Sequence, residues 1–169
     1  DELGELRTLA VRVRWCRPQT YYDLAPWRGT YSMDGGCLTN QGIHHIDLMR
    51  KLGGEVDRVV STLRTLGSEI EVEDTATGVF KTKEGKTSSI FCSWRLLSGY
   101  FFFEINGSEG YINVDGRFDT HGGDKIYWSN KKENKIILPF FCQRTCLYSE
   151  NLIRISFSCI SSLYCCIIG

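Results

Sequence analysis

The sequence predicts an α+β domain in which an amphipathic helix packs on one face of a mainly antiparallel sheet. Two observations carry this expectation. A helical pattern runs from Thr39 or Asn40 to a Gly53-Gly54 stop. From residue 56 onward, short apolar runs recur between tight turns. One helix followed by successive strands is the pattern of an α+β layer, and strands joined by tight turns pair antiparallel.

The elements follow in order. Leu9, Val11, Val13 and Trp15 alternate with Ala10, Arg12, Arg14 and Cys16. That period of two predicts a half-buried strand with basic residues on its second face. Residues 18–36 read as a loop rich in glycine and in aromatics, among them Tyr21, Tyr22, Trp27 and Tyr31. A loop of this length is functional or disordered, and its aromatic content argues against disorder. In the helix, Ile43, Ile46, Leu48, Met49 and Leu52 spread over one broad side at about 100° per residue. Asn40, His44, Asp47 and Lys51 form a narrow stripe opposite. Thr39 or Asn40 is the expected N-cap. Strands are then expected over residues 56–66, 75–82, 87–94, 100–105, 111–114 and 126–128. The second and third form a hairpin around Lys83-Glu84-Gly85-Lys86. Asn106-Gly107-Ser108-Glu109-Gly110 turns the next pair.

The length of 169 residues suits one domain. Twenty basic and 20 acidic residues cancel, so no net charge draws the chain to nucleic acid or an anionic membrane. Of eight cysteines, Cys16, Cys37 and Cys92 stand alone. Cys142, Cys146, Cys159, Cys165 and Cys166 crowd the end. No C-x-x-C pair and no histidine near the late cluster support a zinc site. The expected state is reduced thiols in a cytoplasm, since no secretory signal opens the sequence. Residues 155–168 are apolar, but a membrane span needs roughly twenty such residues, so they read as a non-spanning tail. From about residue 136 clear periodicity is lost.

Reactive groups gather in Asn40-Gln41-Gly42-Ile43-His44-His45-Ile46-Asp47. Asn40 and His44, four residues apart, share a helix face, with Asp47 a turn further on. The positive end of the helix dipole favours a neutral imidazole, the form a general base needs. His44 falls on the polar stripe and suits chemistry. His45 points about 100° away, toward the apolar side, and suits packing. Asn40 suits a hydrogen bond to a substrate hydroxyl. The bland alternative is that the stripe is only solvated surface. Just upstream, Trp27 suits stacking on a sugar or base, and Arg28 suits bidentate binding of a carboxylate or phosphate. Their alternative is a core tryptophan beside a surface ion pair. There is no G-x-G-x-x-G fingerprint, no Walker loop and no G-x-S-x-G elbow.

Several segments together resemble the C-terminal domain of Gfo/Idh/MocA oxidoreductases. They are Tyr21-Tyr22 through Trp27-Arg28-Gly29-Thr30, Asp34-Gly35-Gly36-Cys37, Asn40 through Leu48, Gly54-Glu55-Val56, Glu71 through Ala76, and Ile105 through Gly110. The likeness covers roughly residues 5–116. It implies an open, mainly antiparallel sheet backed by helices, in a family whose sheets often build dimers or tetramers. It implies NAD or NADP as cofactor and a sugar or sugar nucleotide as substrate. His44 takes the position of the family's proton acceptor, active as hydride leaves for the nicotinamide. Asn40 stands where an Asp is common, which is similar to the branch oxidising UDP-N-acetylamino sugars or their uronates at C3. Trp27, Arg28 and Asp47 become substrate-contact candidates.

The likeness also implies a nucleotide-binding domain and a catalytic lysine from it, neither of which is found in these residues. Cys37 replaces a common third glycine. Residues 1–135 are therefore expected to form a substrate and oligomerisation half, a homo-oligomer through its sheet and inactive alone, with 136–169 an atypical tail. Two other readings stay open. One is a non-catalytic binding or assembly module that pairs through its sheet face. The other is a degenerate product that barely folds.

Overall fold

The computed structural model describes residues 2–117, 125–130 and 132–137. The first strand, β1 (Leu6–Cys16), buries Leu9, Val11 and Val13 and turns Thr8, Arg12 and Arg14 to the other side. A short helix α1 (Gln19–Asp23), a loop, a π-helical turn (Leu38–Gly42) and helix α2 (Ile43–Gly53) follow. Seven strands complete the described chain: β2 (Val56–Arg64), β3 (Thr75–Thr82), β4 (Thr87–Ser93), β5 (Arg95–Gly107), β6 (Gly110–Arg117), β7 (Lys125–Asn130) and β8 (Asn134–Ile137).

They form one sheet in the order β2-β3-β4-β1-β5-β6-β7-β8. Every neighbouring pair is antiparallel except β1 and β4, which are parallel. A parallel pair needs a crossover. Here the crossover contains α2 and the β2–β3 pair, and it lays α2 across β1 and β4. The α+β class, with a mainly antiparallel sheet and its helix on one face, is thus what the chain adopts.

The core lies between that face and the helix. Leu48 and Met49 of α2 share one buried cluster with Leu9, Val11 and Val13 of β1, Ile90 and Cys92 of β4, and Phe103 and Ile105 of β5. Fully burying a side chain of this kind contributes about 1.5–3 kcal/mol, so this shared face dominates the fold's stability. Ile43 departs from the expected apolar side. It is 45 % exposed, because one turn of α2 directs it away from the sheet beside the polar stripe.

On the opposite face, charged and aromatic groups interleave. Arg12 lies over Phe102 at 5.9 Å and Arg14 over Tyr100 at 5.6 Å. The Tyr100 and Phe102 rings are nearly parallel, 6.4 Å apart. Among the described residues no helix covers this face.

Boundaries moved in predictable ways. β1 starts at Leu6, and β5 and β6 extend to Gly107 and Arg117. The short helix α1 occupies part of the expected loop, and β8 had no sequence counterpart. The tail expected from residue 136 lies outside the described residues, except that β8 runs on to Ile137.

Candidate active site

The helix start differs from expectation, and the difference shapes the site. The cap position falls on Cys37, not on Thr39 or Asn40; Cys37 is already in helical backbone geometry (φ −60°, ψ −28°) and makes no side-chain cap bond. Capping comes from a distant segment. The Glu73 carbonyl accepts from the Cys37 N–H at 3.0 Å. Its carboxylate Oε1 accepts from the Leu38 N–H at 3.1 Å. A negative charge at a helix N-terminus is favourable there. Gly36 makes the approach possible, since a Cβ at that position would collide with the Glu73 carboxylate. Gly35 adopts φ of 71°, in the left-handed region that favours glycine.

Cys37, the replacement for a common glycine, is fully buried against Cys92. The Cys92 thiol donates to the Cys37 carbonyl at 3.1 Å, and the Cys37 thiol to the Cys92 carbonyl at 3.6 Å. Contact with Cys92, reinforced by burial, pushes the Cys37 thiol far above its ordinary value. It is an inert packing group.

Asn40 does not cap the helix. Its amide nitrogen donates to Asp34 Oδ1 at 2.6 Å and to the Asp34 carbonyl at 3.4 Å. Asp34 Oδ2 in turn accepts from the Gly29 N–H at 2.7 Å. One carboxylate therefore ties the Trp27–Gly29 turn to the helix start. The π-helical turn widens the spiral, so Asn40 and His44 are not related by a regular four-residue repeat. His44 and Asp47 are both exposed on α2.

His45 takes the other direction. Its ring meets Phe101 edge-on, with centroids 4.8 Å apart. Burial lowers its pKa from 6.5 to about 4. It is a neutral packing group.

Arg28 stacks. Its guanidinium lies 4.2 Å from the Tyr21 ring and 5.4 Å from the Trp27 ring. Its Nη1 donates to the Tyr21 carbonyl at 2.8 Å. Trp27 is 41 % exposed, so it is not a core residue, and Arg28 is held by aromatic faces, with no carboxylate paired to it among the described residues. Arg17 extends the ladder, 4.5 Å from both Tyr21 and Trp94.

The structure thus joins Trp27, Arg28 and Asn40 through Asp34, and leaves His44 and Asp47 on the exposed stripe. Sequence reasoning gave no role to Asp34, Glu73 or Arg17. The signals were present: Asp34 directly precedes Gly35-Gly36, and Glu73 lies in the Glu71–Ala76 segment that resembles the family. Asp34 acts through a loop on a residue six positions away and Glu73 on one 35 positions away, neither of which helical spacing reports. Among the described residues no three of His, Cys, Asp and Glu gather as a metal site. Nor does any glycine-rich strand-to-helix turn offer a cradle for a dinucleotide pyrophosphate, so these residues do not fit the cofactor's phosphates. No described helix is long and apolar enough to cross a membrane.

The described chain is a helix-backed, mainly antiparallel open sheet that carries this polar helix start. Residues 1–113 match the GFO/IDH/MocA C-terminal domain, and the chain belongs to that family. It is similar to the WlbA dehydrogenase of Bordetella pertussis, solved with NADH and UDP-GlcNAcA: 35% identity, TM-score 0.65, covering 68% of this chain and 36% of that one. The Chromobacterium violaceum WlbA, solved with the same two ligands, is 38% identical with TM-score 0.63, over 68% of this chain and 34% of that one. D-apiose dehydrogenase of Paraburkholderia graminis is 33% identical over 90 residues, 49% of this chain and 24% of its own length. The chain therefore spans about a third or less of these relatives.

Proposed function

We propose that this chain is the substrate-binding and oligomerisation half of a cytoplasmic NAD(P)-dependent sugar dehydrogenase acting on a UDP-N-acetylamino-sugar uronate at its C3 hydroxyl. The observation that carries the reading is the Asn40–His44 helix start, held by Asp34 and Glu73, in a domain 35% identical to a dehydrogenase solved with UDP-GlcNAcA. His44 takes the proton of the reacting hydroxyl. Asn40 hydrogen-bonds the sugar beside it, and Asp47 lies next along the stripe. Trp27 offers a stacking face, and Arg28 beside it offers a cation for the uronate or the diphosphate.

Titration of the chain with UDP-GlcNAc uronate tests this. Binding is expected, and His44→Ala is expected to weaken it by a few-fold while leaving the melting temperature unchanged. The chain by itself is proposed not to turn over, because hydride transfer requires a cofactor held against the substrate. NADH formation by the chain alone would refute that part.

The second reading, an assembly module, draws on the interleaved Arg12, Arg14, Tyr100 and Phe102 on the uncovered sheet face. A stable oligomer that binds no sugar nucleotide, with His44→Ala silent, would favour it.

A further inference from the structure

An asparagine side chain has two donors and one acceptor oxygen, and which of them faces a ligand depends on what holds the other. At Asn40 the holder is unambiguous. The nitrogen sits 2.6 Å from Asp34 Oδ1 and 3.4 Å from the Asp34 carbonyl. Both acceptors are oxygens of one residue. A flipped amide would set its own oxygen against a carboxylate oxygen, exchanging a charge-assisted hydrogen bond for repulsion. Nor can Asp34 swing away, because its second oxygen is occupied by the Gly29 N–H at 2.7 Å.

We propose that Asp34 is the positioning residue that sets the polarity of the site. It takes up the amide protons of Asn40 and turns Asn40 Oδ1 outward, so that the site receives a hydrogen-bond donor at this point. The proposal rests on the substrate reading above and deepens it. A hydroxyl proton is what the outward oxygen accepts, and a group without one is rejected. Through Gly29 the same carboxylate fixes the turn that carries Trp27 and Arg28, so the two halves of the site share one anchor.

The test exploits the near-identical shape of Asp and Asn. In Asp34→Asn, residue 34 keeps its oxygen on the Gly29 N–H and presents an amide to Asn40. Asn40 then flips to accept from it and turns its donors outward. In Asp34→Asn/Asn40→Asp the amide at 34 donates to the new carboxylate, which again presents an oxygen outward. With UDP-GlcNAc uronate as titrant, Asp34→Asn is expected to weaken binding about tenfold, the loss of one hydrogen bond to the sugar. The double variant is expected to recover most of that loss. A 4-O-methyl analogue, which lacks the hydroxyl proton next to the reacting C3 hydroxyl, is expected to bind the native chain about as weakly as the native ligand binds Asp34→Asn. Equal binding by the native chain and Asp34→Asn would overturn the proposal, as would a double variant no better than the single one.

A ligand-free measurement separates this idea from the substrate reading. With isotope-labelled asparagine, the Asn40 side-chain amide is expected to exchange slowly with solvent in the native chain. In Asp34→Asn its resonances are expected to move. Fast exchange in the native chain would remove the clasp itself. A protected amide together with no uronate binding would instead overturn the substrate reading and leave the clasp standing.

Discussion

His44 and His45 are neighbours in sequence with opposite environments. His44 is exposed, while His45 packs on Phe101 and burial holds its pKa at about 4, below the ordinary 6.5. The unfolded chain therefore binds a proton at residue 45 more readily than the folded one does. The resulting stability is fully present above about pH 6.5 and is lost as pH falls toward about 4. His45→Phe removes this titration. Its melting temperature is expected to fall less than that of the native chain between those two pH values, and parallel curves would contradict the assignment. The two imidazoles could be told apart in the sequence, because an angular step of about 100° separates them on any helix. Asp34 could not be assigned a role that way. It acts on Asn40, six residues ahead, through a loop whose path no periodicity encodes.

At the scale of elements, hairpins were legible and the helix start was not. The β3–β4 hairpin appears where Lys83-Glu84-Gly85-Lys86 predicts it, with Gly85 at φ of 87°. The helix ends at Gly53 and is capped by Gly54, whose φ is 98° and whose N–H donates to the Arg50 carbonyl at 3.0 Å. Both signals are local. The helix start depends on Glu73, 35 residues from the Leu38 it caps, and a local cap rule therefore selects Thr39 or Asn40 instead. This arrangement makes a coupled prediction. Glu73→Ala removes the cap acceptor and is expected to destabilise by about 1 kcal/mol. Gly36→Ala drives a Cβ into the Glu73 carboxylate, displaces it from the Leu38 N–H, and is expected to cost about 1 kcal/mol, the loss of the same cap. In the Glu73→Ala background the Gly36→Ala cost should largely vanish, because the colliding group is gone. Denaturant unfolding of the four proteins in this cycle measures it, and simple additivity would rule out the contact.

For the whole molecule, the two sheet faces differ in kind, and the difference bears on assembly. One face is closed by α2, which packs on β1 and β4 over a core that includes Leu9, Val11, Phe103 and Ile105. The alternation in β1 had already shown that its second face carries Arg12 and Arg14. What local patterns could not show was the place of β1 in the middle of the sheet, parallel to β4 and antiparallel to β5, since turns report hairpin neighbours but not crossover partners. That central position brings Arg12 and Arg14 over Phe102 and Tyr100 of β5. Arginines stacked on aromatic rings are characteristic of protein interfaces, where a planar cation and a large apolar area bury together. Homo-oligomerisation through this face, proposed above, therefore depends on Arg12 and Phe102 as central contacts. Arg12→Glu/Phe102→Ser alters only this face, so α2 and the Asn40–His44 helix start remain in place. Sedimentation velocity at micromolar concentration is expected to give an associating native chain and a monomeric variant, with titration of UDP-GlcNAc uronate unchanged between them. Monomeric sedimentation of the native chain would refute assembly through the sheet. Joint loss of association and ligand binding would instead show that the site is completed by a second copy.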